Sequence, residues 1–209
     1  MKRVLFILAF LACGSISTIK AQSILETFDT NSLEWTECPY NNSEGNSIID
    51  KGVMTVSSKA ETKWNGYGSF KEIHDFMTTC YAPLNVMKSF TIRTHVSIKA
   101  LDNDKLCGLI FNYKDNGTFY AFIFNETSIQ FIRRVDGDFV GSIIQGMKWP
   151  KKRKLDQEWE LKSDGELLTF SVDGVQVLKV RYMPLEYTGV GFWVCGKQEI
   201  KVDDIEFIQ

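Results

Sequence analysis

The chain has 209 residues, with 24 Lys and Arg against 26 Asp and Glu, 44% hydrophobic and 13% aromatic. That composition excludes collagen-like, disordered and coiled-coil chains. Three of the basic residues (Lys2, Arg3, Lys20) fall in the first 21 positions, so the remainder is acidic and ill suited to gripping duplex DNA or anionic lipid over its whole surface.

Residues 1–21 read as an export signal. Lys2 and Arg3 form a basic start, and Val4 to Ala12 form an apolar core too short to span a bilayer. Ala21 supplies a small residue before the cut. A second cut, before Cys13 in Phe10-Leu11-Ala12-Cys13, resembles a bacterial lipoprotein signal and would place a lipid anchor on Cys13. Both cuts put the remainder, a domain over 22–209, in the periplasm, at the cell surface or in the medium. No later stretch reaches the roughly 18 apolar residues of a spanning helix. Beyond Cys13, four cysteines remain: Cys38, Cys80, Cys107 and Cys195. They allow three pairings and contain no C-x-x-C. Cys107 and Cys195 sit in apolar runs and read as small buried hydrophobes. Cys38 and Cys80, in polar surroundings, make the better pair.

From Ser47 onward, β-branched and aromatic runs alternate with turn signals. Phe90, Ile92, Thr94, Val96 and Ile98 share one face of a strand, and Thr91, Arg93, His95, Ser97 and Lys99 share the other. Further strand-like runs cover 106–113, 118–125, 127–135, 166–172, 175–181, 188–194 and 199–208. Asn116-Gly117, Asp136-Gly137, Asp164-Gly165 and Asp173-Gly174 tolerate the positive φ of tight hairpins and predict antiparallel neighbours. Pro83, Pro150 and Pro184 lie between runs. No segment sustains helical periodicity for three turns. The mature chain therefore reads as all-β, two packed antiparallel sheets in one domain. Its most loop-like stretches are 36–46 and 57–68.

Several motifs carry a resemblance. Leu25-Glu26-Thr27-Phe28-Asp29 followed by Leu33-Glu34-Trp35 resembles the start of many exported bacterial jelly-roll domains. Asp50-Lys51-Gly52-Val53-Met54-Thr55-Val56 is similar to their second strand. Gly108-Leu109-Ile110-Phe111-Asn112-Tyr113, with Phe119-Tyr120-Ala121-Phe122 after it, resembles their central hairpin. Trp159, Phe170 to Gly174, Gly189 to Phe192 and Val202-Asp203-Asp204-Ile205 look like the closing stretches. Together they are similar to concanavalin A-like lectin/glucanase jelly rolls of the laminin-G-like kind, a grouping that holds carbohydrate-binding modules and glucanases. The resemblance implies a two-sheet jelly-roll sandwich. Asn112 stands where many relatives carry Arg, so a charged ligand contact does not transfer. Folding motifs of this kind speak to architecture and little to activity.

Glycoside hydrolysis needs two carboxylates flanking the bond. The E-x-D-x-x-E of related glucanases is missing here, and Asp102-Asn103-Asp104 and Asp136-Gly137-Asp138 read as solvated turns. The two histidines, His74 and His95, match no metal-binding spacing, and no catalytic residue set stands out. Sugar binding needs an aromatic ring for C–H faces and polar groups for hydroxyls. Phasing Val190, Phe192 and Val194 inward turns Trp193 outward, and phasing Leu109 and Phe111 inward turns Asn112 outward. Trp193, Asn112, Arg93 and His95 are thus expected to share one outer face, with Trp64 and Tyr67 on its rim. The competing reading makes Trp193 a structural residue under a loop. Lys148 to Lys154 (KWPKKRK) reads as a solvated loop or a grip for an anionic glycan. Relatives of this fold imply a structural calcium between the first and last strands. Glu26, Asp29, Asp203 and Asp204 are carboxylates in those places, and Glu26 and Asp203 are the expected ligands, because Ile205 and Phe207 face the core and Asp203 shares their parity. The expected role is non-catalytic recognition of a glycan. The alternatives are a jelly-roll glycoside hydrolase and a structural or protein-interaction module.

Overall fold

The computed structural model describes residues 22–36, 44–59, 61, 63–64, 70–72, 75–99, 101–147 and 155–209, with the backbone alone for 63–64 and 70–72. In chain order the strands are β1 (Ser23–Glu26), β2 (Gly45–Asp50), β3 (Val53–Ser58), β4 (Lys63–Trp64), β5 (Phe70–Glu72), β6 (Asp75–Tyr81), β7 (Phe90–Ile98) and β8 (Leu106–Asp115). They continue with β9 (Thr118–Phe124), β10 (Ser128–Val135), β11 (Asp138–Gly146), β12 (Leu155–Ser163), β13 (Leu167–Val172), β14 (Val175–Arg181), β15 (Gly189–Cys195) and β16 (Glu199–Ile208). No helix occurs among the described residues.

One sheet runs β14-β13-β12-β7-β16-β3-β2, with β1 also paired to β16. The other runs β11-β10-β9-β8-β15-β6, and every pairing is antiparallel. The Asx-Gly signals act as expected at two hairpins. Asp136-Gly137 (φ 50° and 92°) joins β10 to β11, and Asp173-Gly174 (φ 51° and 73°) joins β13 to β14. Both residues are left-handed, as a two-residue turn matched to strand twist requires. Asn116-Gly117 closes β8–β9 without a left-handed residue. Strands β1, β4, β5, β6, β11 and β12 are not among the strand-like runs of the sequence analysis. In β12 the alternation is plain in hindsight: Leu155, Gln157, Trp159, Leu161 and Ser163 are buried.

Aromatic pairs bridge the two sheets. Phe122 of β9 stacks on Phe170 of β13 with centroids 5.0 Å apart, and Phe124 meets Trp159 of β12 edge-on at 4.8 Å. Such pairs add about 0.5–1.5 kcal/mol each beyond area burial. A second apolar cluster (Leu106, Ile110, Phe119, Ala121, Ile123, Ile132, Trp193, Cys195) covers the outer face of the six-stranded sheet. Strands β9 and β15 are therefore buried on both faces. That explains why they read as continuous apolar runs rather than clean alternations.

Cys80 departs from its expected setting. It lies on β6 within the core, a buried free thiol raised well above its ordinary pKa by desolvation, and not a loop residue bridged to Cys38. Cys107 and Cys195 are buried and free, as expected. Cys13, Cys38 and the whole of 1–21 lie outside the described residues.

Candidate functional site

The outer face of the eight-stranded sheet is built from β7 and its two neighbours. Period-2 alternation turns Arg93, His95 and Ser97 outward. The register sets Glu160 and Glu206 on either side of Arg93, and Glu158 and Asp204 on either side of His95. Arg93 Nη2 donates to Glu160 Oε2 at 2.7 Å and Nη1 to Glu206 Oε2 at 3.3 Å. His95 Nδ1 lies 2.9 Å from Asp204 Oδ1, and its Nε2 lies 3.5 Å from Glu158 Oε2. Ser97 donates to Asp156. Opposite charges on facing strands are the sheet's counterpart of helical ion pairs. The hydrogen bond to Asp204 comes first among the causes that raise the His95 pKa, against a smaller desolvation cost. Beside this ladder lies an open depression of about 460 Å³. His95, Asp156, Gln157, Glu158, Asp173 and Asp204 line it, and Ser97 and Asp203 stand at its wall.

Trp193 and Asn112 do not join this face. Both belong to the six-stranded sheet, on β15 and β8, whereas Arg93 and His95 are on the other sheet. Trp193 does point away from the main core, as its phasing requires, but it is only 3% exposed. It packs edge-on against Phe119 at 5.7 Å, and its Nε1 donates to Asp75 Oδ2 at 2.7 Å. The Asp75 carboxyl is raised above its ordinary pKa, chiefly by burial and against the lowering effect of that hydrogen bond. Asn112 is fully buried rather than outward. It sits where β8 slips register against both β9 and β15, with φ 49°, and the slip breaks the parity that placed its side chain outside. Its Nδ2 donates to Leu185 O (2.7 Å) and Tyr187 O (3.1 Å), and its Oδ1 accepts from the Tyr182 hydroxyl (2.8 Å). It is a structural tie.

The expected calcium ligands also separate. Glu26 is buried and accepts from Phe28 N–H (3.1 Å), Leu33 N–H (3.0 Å) and the Ser32 hydroxyl (2.6 Å), so three local donors already partner this inward carboxylate. Asp203 is exposed. A bulge between Val202 and Asp204 inserts one residue, so Val202 and Ile205 both face the core and Asp203 faces out. No cluster of three or more His, Cys, Asp or Glu suited to a metal occurs among the described residues. Trp64 lies on β4, with nothing described of its side chain. Tyr67 and Lys148–Lys154 lie outside the described residues. Sequence reasoning missed Glu158, Glu160 and Glu206, and took Asp204 only as a carboxylate near the calcium position. The outward parity of β12 was a signal for Glu158 and Glu160, and inward Ile205 and Phe207 turn Asp204 and Glu206 outward by the same rule.

No protein-family model and no curated protein sequence matches the chain. Solved structures do. The chain is similar to a Bacillus licheniformis β-glucanase (TM-score 0.58, 10% identity, covering 88% of this chain and 97% of that one). It is also similar to the carbohydrate-binding module CBM66 of Bacillus subtilis (0.54, 15%, 81% and 94%). A third likeness is the carbohydrate recognition domain of Emp46p (0.56, 10%, 87% and 90%). At such identities these likenesses establish the architecture: the chain folds as a concanavalin A-like jelly roll.

Proposed function

We propose that this chain is an exported, non-catalytic glycan-binding domain. We place its ligand surface on the outer face of the eight-stranded sheet, at the depression beside His95. The carrying observation is the chemistry of that hollow. The Asp156, Glu158, Asp173 and Asp204 carboxylates and the Ser97 hydroxyl supply hydrogen-bond acceptors on a rigid sheet, and sugar hydroxyls supply the donors to meet them. Arg93 and His95 pin the carboxylates in place, so little ordering remains to be done on binding. The kinds of protein with similar folds (a glucanase, a carbohydrate-binding module, a carbohydrate recognition domain) support a saccharide over other hydroxyl-rich ligands. The surplus of negative charge disfavours acidic glycans on this face.

Binding is favoured over hydrolysis by one geometric feature. Glu158 and Asp204 stand opposed, but the imidazole of His95 bridges them. An inverting hydrolase needs that gap for water, and a retaining one needs it for the anomeric carbon. The test is a glycan array with residues 22–209, followed by calorimetry on the best ligand. His95→Ala and Glu158→Gln are expected to weaken binding at least tenfold, with no reducing sugar released. Unchanged affinity in both variants, or release of reducing sugar, overturns the proposal. Export by the N-terminal segment belongs to the same reading. Intact mass of the cell-derived protein is expected to begin at Gln22, or at a lipid-bearing Cys13, and a chain retaining Met1 contradicts it.

A further inference from the structure

Both ring nitrogens of His95 face a carboxylate. Nδ1 lies 2.9 Å from each oxygen of Asp204, and Nε2 lies 3.5 Å from Glu158 Oε2. An imidazolium carries a proton on each nitrogen and serves both partners. A neutral imidazole carries one proton and must turn a lone pair toward the other carboxylate. The two sides are unequal. Asp204 makes the shorter contact, and its Oδ1 also accepts from the His95 backbone N–H at 3.2 Å. The last proton therefore stays on Nδ1, and Nε2 is left with its lone pair toward Glu158. Among the described residues, the other cation beside Glu158 is Arg93, whose Nε lies 4.0 Å from Glu158 Oε1. The Glu158 main chain is fixed, because its N–H donates to Asp173 Oδ1 at 2.9 Å. Only the side chain can swing.

The other charged groups of the hollow are Asp156 on β12, Asp203 on β16 and Asp173 in the β13–β14 turn. Glu160 and Glu206 stand one step farther along and are bound to Arg93. Within this set His95 is the side chain that ordinarily titrates near neutral pH. We propose that His95 is a proton-operated clamp on the glycan surface: the protonated ring holds Glu158 in the binding arrangement, and loss of the proton releases Glu158 toward Arg93 and weakens glycan binding. This inference rests on the ligand surface proposed above. The hydrogen bond to Asp204, with the charges of Asp204 and Glu158 behind it, keeps the proton on above the ordinary imidazole range, so release falls on the alkaline side. Re-ordering one freed side chain on binding weakens affinity roughly three- to tenfold. Linkage makes the effect reciprocal: bound glycan raises the His95 pKa by roughly half to one pH unit.

The test begins without ligand. In NMR of the unmodified protein from about pH 5.5 to about pH 9, the three-bond couplings that report Glu158 χ1 are expected to change with the His95 midpoint, while those of Asp204 stay constant. Calorimetry with the tightest-binding neutral oligosaccharide of the array is expected to show the three- to tenfold weakening over the same range. His95→Gln is expected to flatten both profiles, and His74→Gln, at the chain's other histidine, to keep them. Glu158 couplings that ignore the His95 titration overturn the clamp. So does an affinity equal at both ends of the range. Absence of binding throughout, with the couplings still switching, overturns the ligand surface and with it the clamp's effect on a glycan.

Discussion

Replacing Asn112 with alanine separates a structural tie from a ligand contact. Asn112 makes three hydrogen bonds inside the protein, two donated to Leu185 and Tyr187 carbonyls and one accepted from Tyr182. At a net value of about 1 kcal/mol each, with two buried carbonyls left short of a donor while the Tyr182 hydroxyl keeps the Val86 carbonyl (3.3 Å), their loss costs about 3 kcal/mol. The backbone at φ 49° adds about 1 kcal/mol, because alanine tolerates the left-handed region less well than asparagine. The expected loss is about 4 kcal/mol, or a fall in melting temperature of roughly 8–16 °C for a domain of this size. Urea unfolding followed by tryptophan fluorescence measures it. Asn112→Asp, which sets a buried carboxylate against the Leu185 and Tyr187 carbonyls with no donor to offer them, is expected to cost at least as much as alanine. A loss below about 1 kcal/mol, the ordinary cost of a point change, would refute the reasoning, above all if glycan binding vanished at the same time.

Other outcomes follow from the same geometry. NMR titration is expected to place the His95 pKa above its ordinary 6.5, and Asp204→Asn to bring it back down; a value at or below 6.5 in the unmodified protein contradicts the pairing. Because the folded state holds this proton more tightly, the pair's contribution to stability is complete below the unfolded pKa and fades as pH rises through the folded one. The side chain is 51% exposed, so that contribution stays under about 1 kcal/mol. Gly191→Ala would place a Cβ 2.2 Å from the Thr78 carbonyl on the neighbouring strand, and a loss of about 2–3 kcal/mol or failure to fold is expected in urea melts; a variant as stable as the parent would show that β6 and β15 lie farther apart. Cys80, Cys107 and Cys195 are expected to resist a thiol reagent in the native protein and to react fully in denaturant without reductant, and a protected Cys80 in denaturant would mean that it is bridged after all.

Alternation and turn chemistry made the architecture legible. The β7 alternation and the Asx-Gly hairpins correspond directly to strands and turns, because one-sided burial and left-handed bends leave a local trace. The site was legible only in part. Phasing tells whether a side chain points toward or away from the core, but not in which of two sheets its strand lies. Arg93 and Trp193 were both turned outward correctly, yet they face away from different sheets. Parity also fails across an irregularity. The bulge before Asp204 reversed Asp203, and the slipped register near Asn112 carried that residue inside. The carboxylates flanking Arg93 and His95 come from strands 60 or more positions away, a juxtaposition that only long-range pairing creates.

The central claim is that ligand meets the His95 face of the eight-stranded sheet. NMR shift mapping with the best glycan from the array tests it most directly. Perturbed resonances are expected to centre on His95, Ser97, Gln157 and Asp204. Shifts centred instead on Trp193, Asp75 and the outer face of the six-stranded sheet would contradict it.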